Sequence, residues 1–272
     1  MRCPSECRRG AVLPPACLVD YYPSILEQAF ALALLVFILG TAVVSIRAYL
    51  QRPHDLSGVR GSAVLSAGIR GWYIENLAPI EEFFVRWRVA PAYLSYAQLV
   101  GSVLVTVCYA CGMVFTAGWL LLCTGTLDII DGRVARRTQG GSARGAFLDS
   151  VVDRYADSLA YLGLAIFFRS SWMLWVVLFA FLGTLMVSYV RARAEALGAE
   201  CKVGLLQRPE RYVILGFGCV FGALVEHMTP WLHAPHYWLV ILTVVVLAAL
   251  SNASAVQRVV HVLGVLGERS DA

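Results

Sequence analysis

The chain reads as an all-α integral membrane protein, and three features of the sequence lead there. Of its 272 residues, 59% are hydrophobic and only 15% charged, where soluble domains carry about a quarter charged residues. The mean hydropathy is +0.69. The apolar residues gather in long uncharged stretches, several near the roughly 20 residues a helix needs to cross a bilayer. The basic residues fall in alternate connections between those stretches. This pattern excludes a soluble domain. It also excludes nucleic acid as the partner of the arginines, which lie beside membrane spans and there meet the bilayer's anionic heads or phosphates.

Residues 1–27 lack the form of a cleavable signal, because prolines and Glu27 separate the basic tip from the apolar run. Gln28–Ile46 is a retained span, followed by a Gly/Ser-containing linker from about Gln51 to Ile69. Residues 1–60 are therefore an N-terminal extension, and 61–272 a single membrane domain without internal repeat. Gly71–Val89 carries Tyr73, Leu77, Ile80, Phe84 and Trp87 at helical spacing, with Glu81, Glu82, Arg86 and Arg88 elsewhere. It suits an amphipathic helix lying in the membrane interface.

Val89–Leu127 is uncharged and long enough for two helices with a break around Cys111–Gly118. Gly145–Phe168 is apolar after an acidic start. Ser170–Val190, Tyr212–Val225 and Tyr237–Gln257 are uncharged, which brings the expectation to about seven spans. Arg133, Arg136, Arg137 and Arg144 share one connection. Arg191, Arg193, Lys202, Arg208 and Arg211 share another, and Arg258 and Arg269 lie near the end. The alternate connections, near Gly112–Trp119 and Met228–His236, have no Lys or Arg. The basic connections then face the cytoplasm of a multi-pass cell (inner) membrane protein.

Two apparent motifs carry no function. Cys108-x-x-Cys111 has neither partner pair nor nearby histidine, so the cysteines read as small buried hydrophobes. Asn252-Ala-Ser254 fits a glycosylation pattern but falls inside the last span.

The chemistry lies between Leu127 and Ser158. Asp128 and Asp131 are three apart, Asp149 and Asp153 four apart, so on helices each pair shares a face. The intervening Arg-Thr-Gln-Gly-Gly-Ser-Ala-Arg is turn-rich and makes the two helices antiparallel neighbours, with four carboxylates converging. An ionised side chain at the bilayer centre costs roughly 3 kcal/mol, so uncompensated acids would not stay there. Hard divalent cations resolve the conflict. Carboxylate oxygens suit Mg²⁺ or Mn²⁺, and no Cys or His lies close enough to suggest zinc. Two ions could clamp a diphosphate, leaving one carboxylate to accept a proton from an attacking hydroxyl. Gly132 and Gly145 allow close backbone approach to a ligand, and Arg136 offers a bidentate donor for phosphate.

The spacing Asp-x2-Asp-Gly-x2-Ala-Arg-x8-Gly-x3-Asp-x3-Asp is filled by Asp128, Asp131, Gly132, Ala135, Arg136, Gly145, Asp149 and Asp153. It resembles the signature of the CDP-alcohol phosphotransferase family, over about residues 70–265. The resemblance implies a six-helix core with an interfacial amphipathic helix, to which this chain adds an N-terminal transmembrane helix. It implies transfer of a phosphatidyl group from CDP-diacylglycerol to an alcohol, with release of CMP, and a homodimer. Asp128, Asp131, Asp149 and Asp153 would hold the metals, Asp153 doubling as general base. Gly132, Ala135, Arg136, Ser142 and Gly145 would surround the CDP group. Pro91-Ala92-Tyr93-Leu94 stands where the family often carries Pro-Asn, but here without the Asn.

"SYVRARAEALG" and "QRPERYVI" resemble the branch of that family that makes phosphatidylinositol phosphate. There, three basic residues bind the acceptor's phosphate, and Arg191, Arg211 and Arg258 match them. The acceptor is then a small phosphorylated alcohol, inositol phosphate, with glycerol phosphate, inositol or another polyol as alternatives. A transporter would place acids near mid-membrane in repeated halves, which this chain does not. A prenyl-synthase-like enzyme does not suit the Gly and Arg positions. A non-catalytic lipid-binding protein would not need all eight signature residues.

Overall fold

The computed structural model describes residues 40–49, 51, 67–138, 142–201, 203–228 and 236–270. Most of the first span, most of the linker, the Gly140-Gly141 turn, Lys202 and the connection at 229–235 lie outside the described residues, as do Cys3, Cys7 and Cys17. The regular structure is helical, with no strand among the described residues. The elements are α1 (40–49), α2 (Ala67–Arg86), α3 (Pro91–Ala110), α4 (Val114–Thr138), α5 (Ala143–Phe167), α6 (Met173–Ala196), α7 (Arg208–Met228) and α8 (Trp238–Ser270).

Four of these, α3, α4, α6 and α8, are long and apolar enough to cross a membrane. With 25 and 21 residues, α5 and α7 match them in length. Asp149, Asp153 and Asp157 along α5, and Arg208, Glu210 and Arg211 in the first turn of α7, break their apolar runs. The break expected within Val89–Leu127 occurs at residues 111–113, where Gly112 adopts φ +78, a left-handed conformation that glycine takes without strain. At 33 residues, α8 is about 50 Å long. It therefore outreaches the roughly 30 Å hydrocarbon core and carries Arg258 beyond the apolar run that ends at Gln257.

The six long helices close a ring, each packing on its neighbour in the order α5, α3, α4, α7, α8, α6 and back to α5. This corrects the expectation that α4 and α5 are antiparallel neighbours. They hardly touch, because α3 packs along both. Small residues let the backbones approach closely, the usual means of helix association where lipid is as apolar as leucine. Between α4 and α7, a Cβ on Gly118 would lie 2.8 Å from the Gly216 carbonyl oxygen, and one on Gly125 2.9 Å from Tyr212 Cδ1. Thr106 of α3 donates to the Leu159 carbonyl of α5 at 2.7 Å. Asn252, the apparent glycosylation site, packs against Gly183 and donates to the Phe179 and Ala248 carbonyls.

The ring's core is apolar, with Val105, Tyr109, Leu121, Leu164, Leu215 and Leu247 buried in one cluster. Cys219 and Cys201 are buried as expected. Cys108 is half-buried, whereas Cys111, in the turn between α3 and α4, and Cys123 are exposed, which corrects the expectation that they are buried.

The amphipathic helix α2 packs differently from its expected face. Leu77, Tyr73 and Phe84 do meet Ile130 and Val134 of α4, but Ile80, Phe83 and Trp87 are exposed, available to the interface. Glu81, assigned by sequence to the polar side, is buried at 1% exposure. The reason is charge: Arg133 Nε lies 2.6 Å and Arg137 Nε 2.7 Å from its carboxylate. Removing one partner of a buried pair strands the other. Glu81→Gln is therefore expected to destabilise the protein by about 2 kcal/mol, below the fully buried range because Arg137 is half exposed. A lowered melting temperature in detergent checks this; an unchanged one overturns it.

Candidate active site

Because the six helices alternate in direction, the N-terminal turns of α3, α5 and α7 meet the C-terminal turns of α4 and α6 at one end, with the latter half of α8. All the candidate charged residues lie there. Asp128 and Asp131 come from α4 and Asp149 from α5. One oxygen from each lies within 4.8 Å of the other two. Asp153, one turn further along α5, is not in this three-way cluster. Its Oδ1 lies 2.7 Å from Arg208 Nη1, and its Oδ2 3.8 Å from Arg154. The structure thus brings three of the four aspartates together and gives the fourth an arginine.

The intervening α3 orients the cluster. Ser95 Oγ donates to Asp131 Oδ2 at 3.0 Å, and Gln98 Nε2 donates to Asp128 Oδ1 at 3.2 Å. Sequence reasoning missed both residues. The signal was present: Ser95, Gln98, Ser102, Thr106 and Tyr109 recur every three or four positions along an otherwise apolar span.

At this end of the bundle, four buried oxygens of the described residues have no hydrogen-bond donor: Asp131 Oδ1, Asp149 Oδ1, Asp153 Oδ1 and Gln98 Oε1. Asp153 Oδ1 is on this roll despite its 2.7 Å contact with Arg208, so that contact is charge pairing rather than a directed hydrogen bond. Buried acceptors without donors cost free energy unless something positive meets them. An all-oxygen set of this kind fits a hard divalent cation.

The acidic centre continues into an arginine network that the sequence had not resolved. Arg208, at the start of α7, reaches Asp128 and Asp153 through Nη1 and Asp157 through Nε at 3.3 Å. Its guanidinium carbon lies 5.2 Å from the centre of the Tyr212 ring. Asp157, one turn beyond Asp153 and buried at 3% exposure, also pairs with Arg211 Nη2 at 3.5 Å. The period-four run Asp149, Asp153, Asp157 and the early charges of α7 were the available signal.

Of the three expected acceptor arginines, Arg211 is 4% exposed and its Nη1 has no partner. Arg258 is also buried, but it holds backbone: Nε donates to the Val203 carbonyl at 2.9 Å and Nη1 to that of Val187 at 2.7 Å. Arg191 is exposed and pairs with Glu195 at 2.8 Å.

The residues expected around a nucleotide divide in the same way. Arg136 is exposed, and Gly132 and Ala135 are half-buried beside it on α4. Gly132 is open enough that a Cβ there would meet only Arg136 Nη1, at 3.5 Å. Ser142 caps α5, its Oγ accepting from the Gly145 N–H at 3.1 Å. Pro91 and Ala92 begin α3 half-buried and Tyr93 is exposed, but Leu94 is buried against Leu77, Ile130 and Val134. Leu94 therefore serves packing.

A ring of six long helices, four of them long and apolar enough to cross a membrane, with an acidic, cation-seeking centre at one end suits a membrane protein that handles phosphate through a divalent cation. The chain belongs to the CDP-alcohol phosphatidyltransferase family, whose model matches residues 88–266. It is 40% identical over 154 residues to the archaetidylinositol phosphate synthase of Methanothermobacter thermautotrophicus, covering 57% of this chain and 73% of that protein. To the phosphatidylinositol phosphate synthase of Cutibacterium acnes it is 32% identical over 149 residues, 53% and 72% of the two chains. Its fold is similar to the crystal structure of the Mycobacterium tuberculosis phosphatidylinositol phosphate synthase with CDP-DAG bound. The TM-score is 0.57 at 26% identity, covering 68% of this chain and 92% of that one. A second structure of that synthase, in complex with manganese and citrate, also scores 0.57, at 25% identity.

Proposed function

We propose that this protein transfers the phosphatidyl group of CDP-diacylglycerol to inositol phosphate and releases CMP, at the cytoplasmic face of the cell (inner) membrane, as a homodimer. The observation that carries this reading is a pairing at one end of the bundle. Buried carboxylate oxygens without donors stand beside a buried arginine, Arg211, whose Nη1 has no acceptor. One half seeks a cation and the other an anion, as a diphosphate donor and a phosphorylated acceptor require. The similar synthases whose names end in an inositol phosphate product support the choice of acceptor.

Asp128, Asp131, Asp149 and Asp153 would hold Mg²⁺ or Mn²⁺, two ions in all, which would supply positive charge to the diphosphate and the leaving phosphate. The remaining work belongs to the chain. Arg136, exposed at the end of α4, grips the diphosphate, and the open surface at Gly132 admits it. Arg211, with Arg191 and Arg258 adding positive potential, orients the acceptor's phosphate. The acceptor hydroxyl attacks the lipid-bearing phosphorus, the bond from that phosphorus to the CMP oxygen breaks, and Asp153 takes the hydroxyl proton.

The test is CMP release by the purified protein with CDP-diacylglycerol and Mg²⁺ or Mn²⁺, scanning phosphorylated and unphosphorylated polyols. Release dependent on inositol phosphate and abolished by chelator is the expected result. Equal turnover with unphosphorylated inositol would overturn the acceptor assignment, and release unaffected by chelator would overturn the metal assignment.

A further inference from the structure

Arg208 touches three carboxylates at once, and they are not equivalent. Asp128 and Asp153 belong to the set proposed to hold metal; Asp157 does not. The guanidinium donates to Asp128 through Nη1 and to Asp157 through Nε at 3.3 Å, while its contact with Asp153 Oδ1 is charge pairing without a directed hydrogen bond. Asp157 is 3% exposed, so its charge must be matched inside the protein. The side chain is further held by its approach to the Tyr212 ring and hydroxyl. Nothing in the proposed chemistry assigns a role to either Arg208 or Asp157.

We propose that Arg208 is a built-in counter-cation of the metal site, competing with divalent ions for Asp128 and Asp153, and that Asp157 is the positioning residue that restrains it. A guanidinium against Asp128 and Asp153 offers those oxygens the same sign of charge as a metal ion does. The two cannot share them at full strength, because like charges so close repel strongly in a low-dielectric interior. Asp157 anchors Nε and draws the guanidinium back from Asp128 and Asp153. The pair thus sets metal affinity: tight enough to load the site, and weak enough that the acidic centre remains compensated whatever the supply of metal.

This inference rests on the metal site of the proposed function, but its signs distinguish it from a merely structural role. Mn²⁺ binding to the full-length protein in detergent, measured by electron paramagnetic resonance without lipid or acceptor, is the readout. Arg208→Gln removes the competitor, and Mn²⁺ binding should tighten roughly tenfold. Asp157→Asn frees Arg208 to lean on Asp128 and Asp153, and binding should weaken by a similar factor. In the double variant the Asp157→Asn effect should vanish, because it acts only through Arg208. Weakened binding in both single variants would mean that these residues merely support the fold, and would overturn the proposal; so would an Asp157→Asn effect that persists without Arg208. Should either variant fail to fold, Arg208→Lys, which keeps one charge but cannot bridge three carboxylates, should also tighten binding, and no change there counts against the idea. An absence of Mn²⁺ binding in the parent protein would instead sink the metal site itself.

Discussion

Asp153→Asn should lower CMP release by about 10²- to 10⁴-fold, the usual contribution of a positioned general base, while CDP-dependent Mn²⁺ binding survives. Three features single out this carboxylate. It lies outside the tight cluster of Asp128, Asp131 and Asp149, its Oδ1 accepts no hydrogen bond, and Arg208 Nη1 lies 2.7 Å away without a directed N–H contact. An oxygen so placed can take a proton. The amide of Asn keeps the size and one oxygen but cannot accept the proton from an attacking hydroxyl at neutral pH. Turnover measured with saturating Mn²⁺ separates the base from the ligand role. Substantial residual turnover would remove Asp153 from the chemistry, and loss of metal binding together with turnover would make it a ligand first.

Arg211→Ala should raise the KM for inositol phosphate by about 100-fold, the scale for losing a buried charged partner of an anion, with little change in the KM for CDP-diacylglycerol. Arg211 is buried with Nη1 unpartnered, so it is already desolvated and aimed. Its neighbours differ. Arg191 is exposed and bound to Glu195, so Arg191→Ala should have a smaller effect. Arg258 holds the carbonyls of Val187 and Val203, so Arg258→Ala should lower stability as well as acceptor use. Equal acceptor KM for parent and Arg211→Ala would exclude this arginine from the acceptor site. Kinetics with the acceptor varied at saturating donor make the distinction.

Much of this architecture was legible in the residues. Long uncharged stretches allow one conformation in lipid, since only a helix satisfies every backbone group within its own segment; the break at Gly112 and the helices around it follow from that. The aspartates were conspicuous because ionised side chains are so costly in a span. Their spacing of three and four put each pair on one helical face before any packing was considered.

What the spacing could not decide was which helices meet. A turn of a few residues between α4 and α5 suggested direct neighbours, yet backbone contact through Gly163 and Thr106 brings α3 against α5, leaving α4 and α5 to touch only at their acidic ends. Through that placement Ser95 and Gln98, ordinary polar residues in an apolar span, became the donors that orient Asp131 and Asp128. In the same way Glu81 moved from an assumed polar face into a buried clamp on Arg133 and Arg137, and Arg208 entered the acidic centre rather than the surface. Local periodicity determines which face of a helix is polar. It does not determine what charge waits opposite that face, and in a low-dielectric bundle the opposite charge decides whether an acid or an arginine is tolerated, buried and put to use.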